Sequence, residues 1–100
     1  QLILLLRVKF SSRFPVQSSL ISPREIFIEA MRNQAVSILL LHNHPSGNPD
    51  PSPEDITMTL RVREAGGLLG VELLDHIIIG DRQAVSMREQ GLWEEYLMKA

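Results

Sequence analysis

Cysteine is absent from this chain, and aspartate and glutamate are absent from residues 1–24. The first absence excludes disulfides and thiolate metal sites. It also excludes zinc deaminases, whose signature needs paired cysteines. The second leaves the amino-terminal quarter with no carboxylate for proton transfer or metal binding. Aromatic residues make up only 5% of the hundred, so the core must be aliphatic. The opening apolar run, Leu2 to Leu6, is too short for a membrane span or a signal-peptide core. A cytoplasmic location is the default expectation. Charge of one sign is lacking too. Net charge is −2, and Arg7, Lys9 and Arg13 are the nearest thing to a basic patch. Phosphate-backbone binding wants a concentrated basic surface, so nucleic acid is not expected as a partner.

What is present fits one small domain, residues 1–100, expected to be a piece of a longer protein because it begins at Gln1. Leu2 to Val8 reads as a strand, and the serine-rich stretch 10–22 reads as a loop. Ser22-Pro23-Arg24-Glu25 has the grammar of a helix start, with Ser as N-cap and Pro in the first turn. That helix should run to about Asn33 and bury Phe27, Ala30 and Met31, with Glu25, Glu29 and Arg32 in solvent. Val36 to Leu41 reads as a buried strand. Ser52-Pro53-Glu54-Asp55 repeats the helix-start grammar, and Ala65-Gly66-Gly67 reads as that helix's end. Val71 to Ile79 is a strong strand, joined through Gly80-Asp81-Arg82 to a short one at Gln83 to Met87. Arg88 to Lys99, carrying Leu92, Trp93, Tyr96 and Leu97, is expected to be a terminal helix weakened by Gly91. Strands mixed with helices imply an α/β sandwich over a largely buried sheet.

The segment from His42 to Asp55 carries the chemistry. His42 and His44 are two apart at a strand end, so their side chains should point the same way. Asp55, held rigidly at a helix start, can add a third, oxygen ligand. Two imidazoles, one carboxylate and a water form the open arrangement of a catalytic zinc site. Asp55 also fits the third helical position of a capping box with Ser52, and Ser52 is divided between cap and active site in the same way. Asp75, inside an apolar strand, has two readings. It either accepts a proton from a metal-bound imidazole, or it serves as an edge salt bridge or cap. On strict alternation, Leu73, Asp75 and Ile77 share one face, and Glu72, Leu74 and His76 the other.

His42-x-His44, seven residues, Ser52, two residues and Asp55 together resemble the JAMM signature of JAB/MPN-domain zinc metalloproteases. More narrowly, Pro23-Arg24-Glu25, His42 to Gly47, Pro51-Ser52, Glu72 to His76 and Ile79-Gly80-Asp81 resemble the bacterial RadC family, over roughly residues 20 to 92. The resemblance implies a JAB/MPN-like, cytidine-deaminase-like mixed sheet flanked by helices. It implies Zn²⁺ on His42, His44 and Asp55, a catalytic Ser52 that hydrogen-bonds the developing oxyanion, and a peptide or protein substrate. It also implies an upstream glutamate as general base, and here this chain departs from the pattern. The corresponding position falls near Lys9, and Glu25 and Glu29 lie on a solvent face. Two other functions therefore stand beside the hydrolase: a non-catalytic zinc domain that binds protein partners, and a metal-dependent nuclease of a DNA-repair-associated family. The acidic balance opposes the nuclease.

Overall fold

The computed structural model describes the backbone of residues 2–8 and 13–18, and residues 22–91 in full. Strands β1 (Leu2–Val8) and β2 (Arg13–Ser18) pair antiparallel, followed by α1 (Pro23–Arg32), β3 (Ala35–Asn43), α2 (Pro53–Leu69), β4 (Glu72–Ile79) and β5 (Ala84–Ser86). The sheet order is β2-β1-β3-β4-β5. Only β3 and β4 run parallel, with α2 as their crossover, and the other neighbours are antiparallel. This is the expected α/β architecture with a mixed sheet and helices. Among the described residues, no helix is long and apolar enough to cross a membrane.

Both N-caps form as their sequence grammar predicts. Ser22 accepts from the Glu25 backbone, and Ser52 with Asp55 makes a reciprocal capping box. The core joins Ile26, Phe27 and Ala30 of α1 to Ile38 and Leu40 of β3, Val62 of α2, and Leu73 and Ile78 of β4. Ile26, Ile38 and Leu40 are wholly buried, each contributing ~1.5–3 kcal/mol of transfer free energy. Met31, expected on the buried face of α1, is instead 46% exposed. Ile26, one position before Phe27, takes the inward place, because the apolar stripe runs along Ile26, Phe27 and Ala30 at helical spacing.

Four other expectations are corrected. The loop expected over residues 10–22 contains β2. Pro15 lies within that strand, opposite Leu5, and is tolerated there because β2 is a sheet edge, where a missing N–H breaks no ladder. The helix expected to stop at Gly66-Gly67 continues to Leu69 and ends on Gly70, whose φ of +77° is the left-handed cap. Gly66 has a different task. A Cβ there would lie 2.2 Å from the Val71 carbonyl, so α2 can cross the start of β4 only without a side chain. Residues 88–91 form turns rather than the start of a helix, with Gly91 at φ +70°. The remainder of the expected terminal helix, with Leu92, Trp93, Tyr96 and Leu97, lies outside the described residues.

The fourth correction bears on the site. Ile38 pairs with Leu73, but Leu39 pairs with Asp75, so Leu74 is an extra residue in β4. Such a bulge reverses the face of everything beyond it. Leu73, His76 and Ile78 are therefore buried together, and strict alternation fails.

Candidate metal site

His42 ends the inward-facing series of Ile38 and Leu40 on β3. His44 lies one residue past the strand, where its N–H donates to the Ile79 carbonyl at 2.9 Å and extends the parallel ladder. Asp55 enters from the first turn of α2. His42 Nδ1 is 3.1 Å from Asp55 Oδ1, and His44 Nε2 is 2.9 Å from Asp55 Oδ2. One nitrogen or oxygen from each of the three lies within 4.8 Å of the others. The two imidazoles meet edge to face, with centroids 4.8 Å apart. The Asp55 side chain is 9% exposed and that of His42 29%, so the group is rooted in the fold but open on one side.

The donor set fits a divalent metal. His44 Nδ1 lies 2.9 Å from the Asn48 carbonyl, which can only accept, so Nδ1 carries the proton. In the neutral ring Nε2 is then a bare lone pair facing a carboxylate oxygen. Two electron pairs at 2.9 Å must share either a proton or a metal ion, and an imidazole fixed through its other nitrogen is the usual preparation for ligating a metal. Burial lowers the His42 pKa, with help from His44 and against the pull of Asp55. Burial alone would raise Asp55. The Ser52 backbone and hydroxyl, together with both imidazoles, outweigh it and hold the carboxyl below its ordinary range. His42 and Asp55 are thus each biased toward the form a metal requires.

Ser52 lies beside the carboxylate. Its N–H donates to Asp55 Oδ2 at 2.9 Å, and its hydroxyl accepts from the Asp55 N–H at 3.1 Å. Asp75 is not brought to either histidine of the group. Its oxygens accept from the His76 and Arg88 backbones and from the Ser86 hydroxyl, so it caps the turn after β5. Sequence reasoning missed Thr59 and His76. Both are fully buried behind the site, and His76 stacks on His42 with centroids 5.9 Å apart. Thr59, one helical turn after Asp55, was a readable signal. The bulge that turns His76 inward was not. Burial pushes the His76 pKa down to about 4.

The loop carrying His44 is laced to the β4–β5 turn. Gly47 N donates to His44 O at 3.0 Å, and Asp81 N donates to Gly47 O at 2.7 Å. Gly47 holds φ +82°. A Cβ at Gly80 would lie 2.2 Å from Gly47 O and 2.8 Å from Pro49. Gly80→Ala is therefore expected to push residues 44–49 outward, costing ~1–3 kcal/mol and weakening metal binding through His44. Gly67→Ala, with nothing within 4 Å, is the control and should stabilise α2 by ~0.5–1 kcal/mol. Thermal melts with and without zinc check both. Equal metal affinity for Gly80→Ala and the parent would show that the lacing does not hold His44.

A family model described as RadC-like JAB domain matches residues 5–92. A UPF0758 protein of Shouchella clausii is 53% identical over 78 residues, covering 78% of this chain and 34% of its own length. A UPF0758 protein of Clostridium botulinum strain Hall is 57% identical over 76 residues, covering 76% of this chain and 33% of its own. The chain thus spans about a third of the length of the curated relatives it matches.

Proposed function

The chain belongs to the RadC-like JAB domain family, and on that premise we propose that it is a zinc-dependent hydrolase of JAMM type, acting on an amide or isopeptide bond of a peptide or protein. The observation that carries this reading is the convergence of His42 and His44 on the two oxygens of Asp55, with one side open. Zinc in such a set supplies a Lewis acid that polarises a carbonyl and brings the pKa of water from ~16 toward ~7. Ser52 can cap α2 and act in the site together. A hydroxyl has two lone pairs and one proton. One lone pair takes the Asp55 N–H, and the proton, which the Asp55 carboxylate draws in the resting site, can turn to meet negative charge developing on a substrate oxygen.

The upstream glutamate that the family resemblance implies as the proton carrier has no counterpart in residues 1–24, which hold no acid. Val8 pairs with Ala35, whereas Leu2 pairs with His42. Val8 is thus at the far end of β3, roughly 23 Å from His42 at strand rise, and Lys9 lies outside the described residues. Glu25 is exposed, and Glu29 pairs with Arg32 at 3.1 Å. Proton transfer through solvent in place of a positioned carboxylate lowers turnover by ~10²–10⁴-fold. The expected result is weak, zinc-dependent cleavage of peptide or isopeptide substrates, abolished in His44→Ala. Robust turnover that survives His44→Ala or zinc removal would sink the proposal. Stoichiometric zinc with no turnover above the His44→Ala background would favour the second reading, a non-catalytic zinc domain that binds protein partners, which the acid-free residues 1–24 support.

A further inference from the structure

We propose that Thr59 and His76 are a buried positioning pair that locks Asp55 and His42 into register, a role that rests on the metal-site reading above. Thr59 Oγ1 lies 2.6 Å from the Asp55 carbonyl and 2.6 Å from His76 Nδ1. The Asp55 carbonyl can only accept, so the single hydroxyl proton goes to it. His76 Nδ1 must then carry a proton and donate it to Thr59. The hydrogen bonds run one way, from His76 to Thr59 to the Asp55 backbone, and they select the Nδ1–H tautomer of His76.

This selection leaves His76 Nε2 without a proton, and it has no hydrogen-bond partner on a side chain that is 0% exposed. A buried acceptor left unpaired costs ~1–3 kcal/mol, so packing alone would favour an apolar residue here. Geometry supplies a reason to keep the imidazole. The three ligands come from two elements: Asp55 from α2, and His42 and His44 from β3 and its continuation. A ligand set must hold its geometry to about 0.5 Å. Thr59 ties α2 to β4 through His76, one turn from Asp55, and the His76 ring lies within 23° of parallel to His42. The pair therefore fixes the carboxylate by its backbone and one imidazole by its face. Asp55 is gripped on the other side by Ser52, so its backbone is held at both ends.

Two measurements test this. In metal-free protein, long-range proton–nitrogen NMR of the imidazoles should show His76 as the Nδ1–H tautomer. The Nε2–H tautomer would overturn the proposal whether or not metal binds. In the second, Co²⁺ is titrated as the metal alone, with affinity and visible absorption as readouts. Thr59→Val and His76→Leu should weaken Co²⁺ by ~10–100-fold, as loss of an outer partner does, and change the absorption bands. Thr59→Ser, which restores the hydroxyl, should recover both. Parent-like affinity and spectrum in Thr59→Val and His76→Leu would reduce the pair to packing and overturn it. No Co²⁺ binding by the parent protein would overturn the metal-site reading along with the pair, whereas parent binding with indifferent variants overturns the pair alone.

Discussion

Asp55→Asn should fold like the parent and fail to hold zinc. Asp55 has two separable tasks. One Asp55 oxygen, Oδ2, accepts the Ser52 N–H at 2.9 Å, closing the capping box. Both oxygens face imidazole nitrogens, at 3.1 and 2.9 Å. An asparagine carbonyl can still accept from Ser52, so the start of α2 survives. It brings no negative charge, and its amide can turn only one oxygen toward a cation. Loss of a direct ligand should exceed the ~10–100-fold penalty of losing an outer partner. Asp55→Ala should show the same zinc loss plus ~1 kcal/mol from the missing cap. The measurements are metal analysis after dialysis, repeated after zinc is added back, and melts with and without zinc. The parent should gain stability from zinc, and neither variant should. Stoichiometric zinc retained by Asp55→Asn and by His44→Ala would mean that the cation, if any, sits elsewhere.

The site was legible because local rules write it. Strand alternation puts His42 and His44 on one side, and the Ser-Pro start of α2 fixes where Asp55 emerges. Neither inference needs knowledge of a distant residue. The capping reading and the ligand reading of Asp55 looked like rivals in sequence. In space they are compatible, because Oδ2 faces Ser52 and His44 at once. The features that were missed depend on partners far along the chain. Residues 13–18 look like a loop until β1 offers them an edge. Gly66 looks like a helix stop until Val71 is seen crossing beneath it. Gly80 looks like an ordinary turn glycine until the Gly47 carbonyl is seen against it, and Gly47 is reserved for glycine by its φ of +82°. The largest failure was at Leu74. One extra residue in β4 moved His76 from the face expected to carry Glu72 and Leu74 to the buried face of Leu73, behind His42, and moved Asp75 to the turn after β5. Periodicity cannot announce a bulge that exists only against the register of β3.

Acid should unfold the metal-free domain through His76. Its side chain is 0% exposed, and burial pushes its pKa from 6.5 to about 4. The unfolded chain takes up a proton near pH 6.5, whereas the folded chain resists until pH 4. Between those values the unfolded state binds more protons, so stability falls as pH falls. The stabilisation is fully present above about pH 6.5 and is lost by about pH 4, a change of roughly 3 kcal/mol from the shift. Such a loss is a large share of the ~5–15 kcal/mol total of an ordinary domain, and it should lower the melting temperature by ~10–20 °C. His42, also lowered by burial, acts in the same direction but is partly exposed and adds less. Asp55, held below its ordinary 3.8, has linkage of the same sign, since its unfolded form also binds the proton first, but it loses its contribution only at lower pH. Urea unfolding in chelator at pH 7.5, 5.5 and 4.5 measures the slope. His76→Leu has no proton to gain at this position, so its stability should change far less across the range. Superimposable pH profiles for the parent and His76→Leu would mean that the buried imidazole is not the acid-sensitive group.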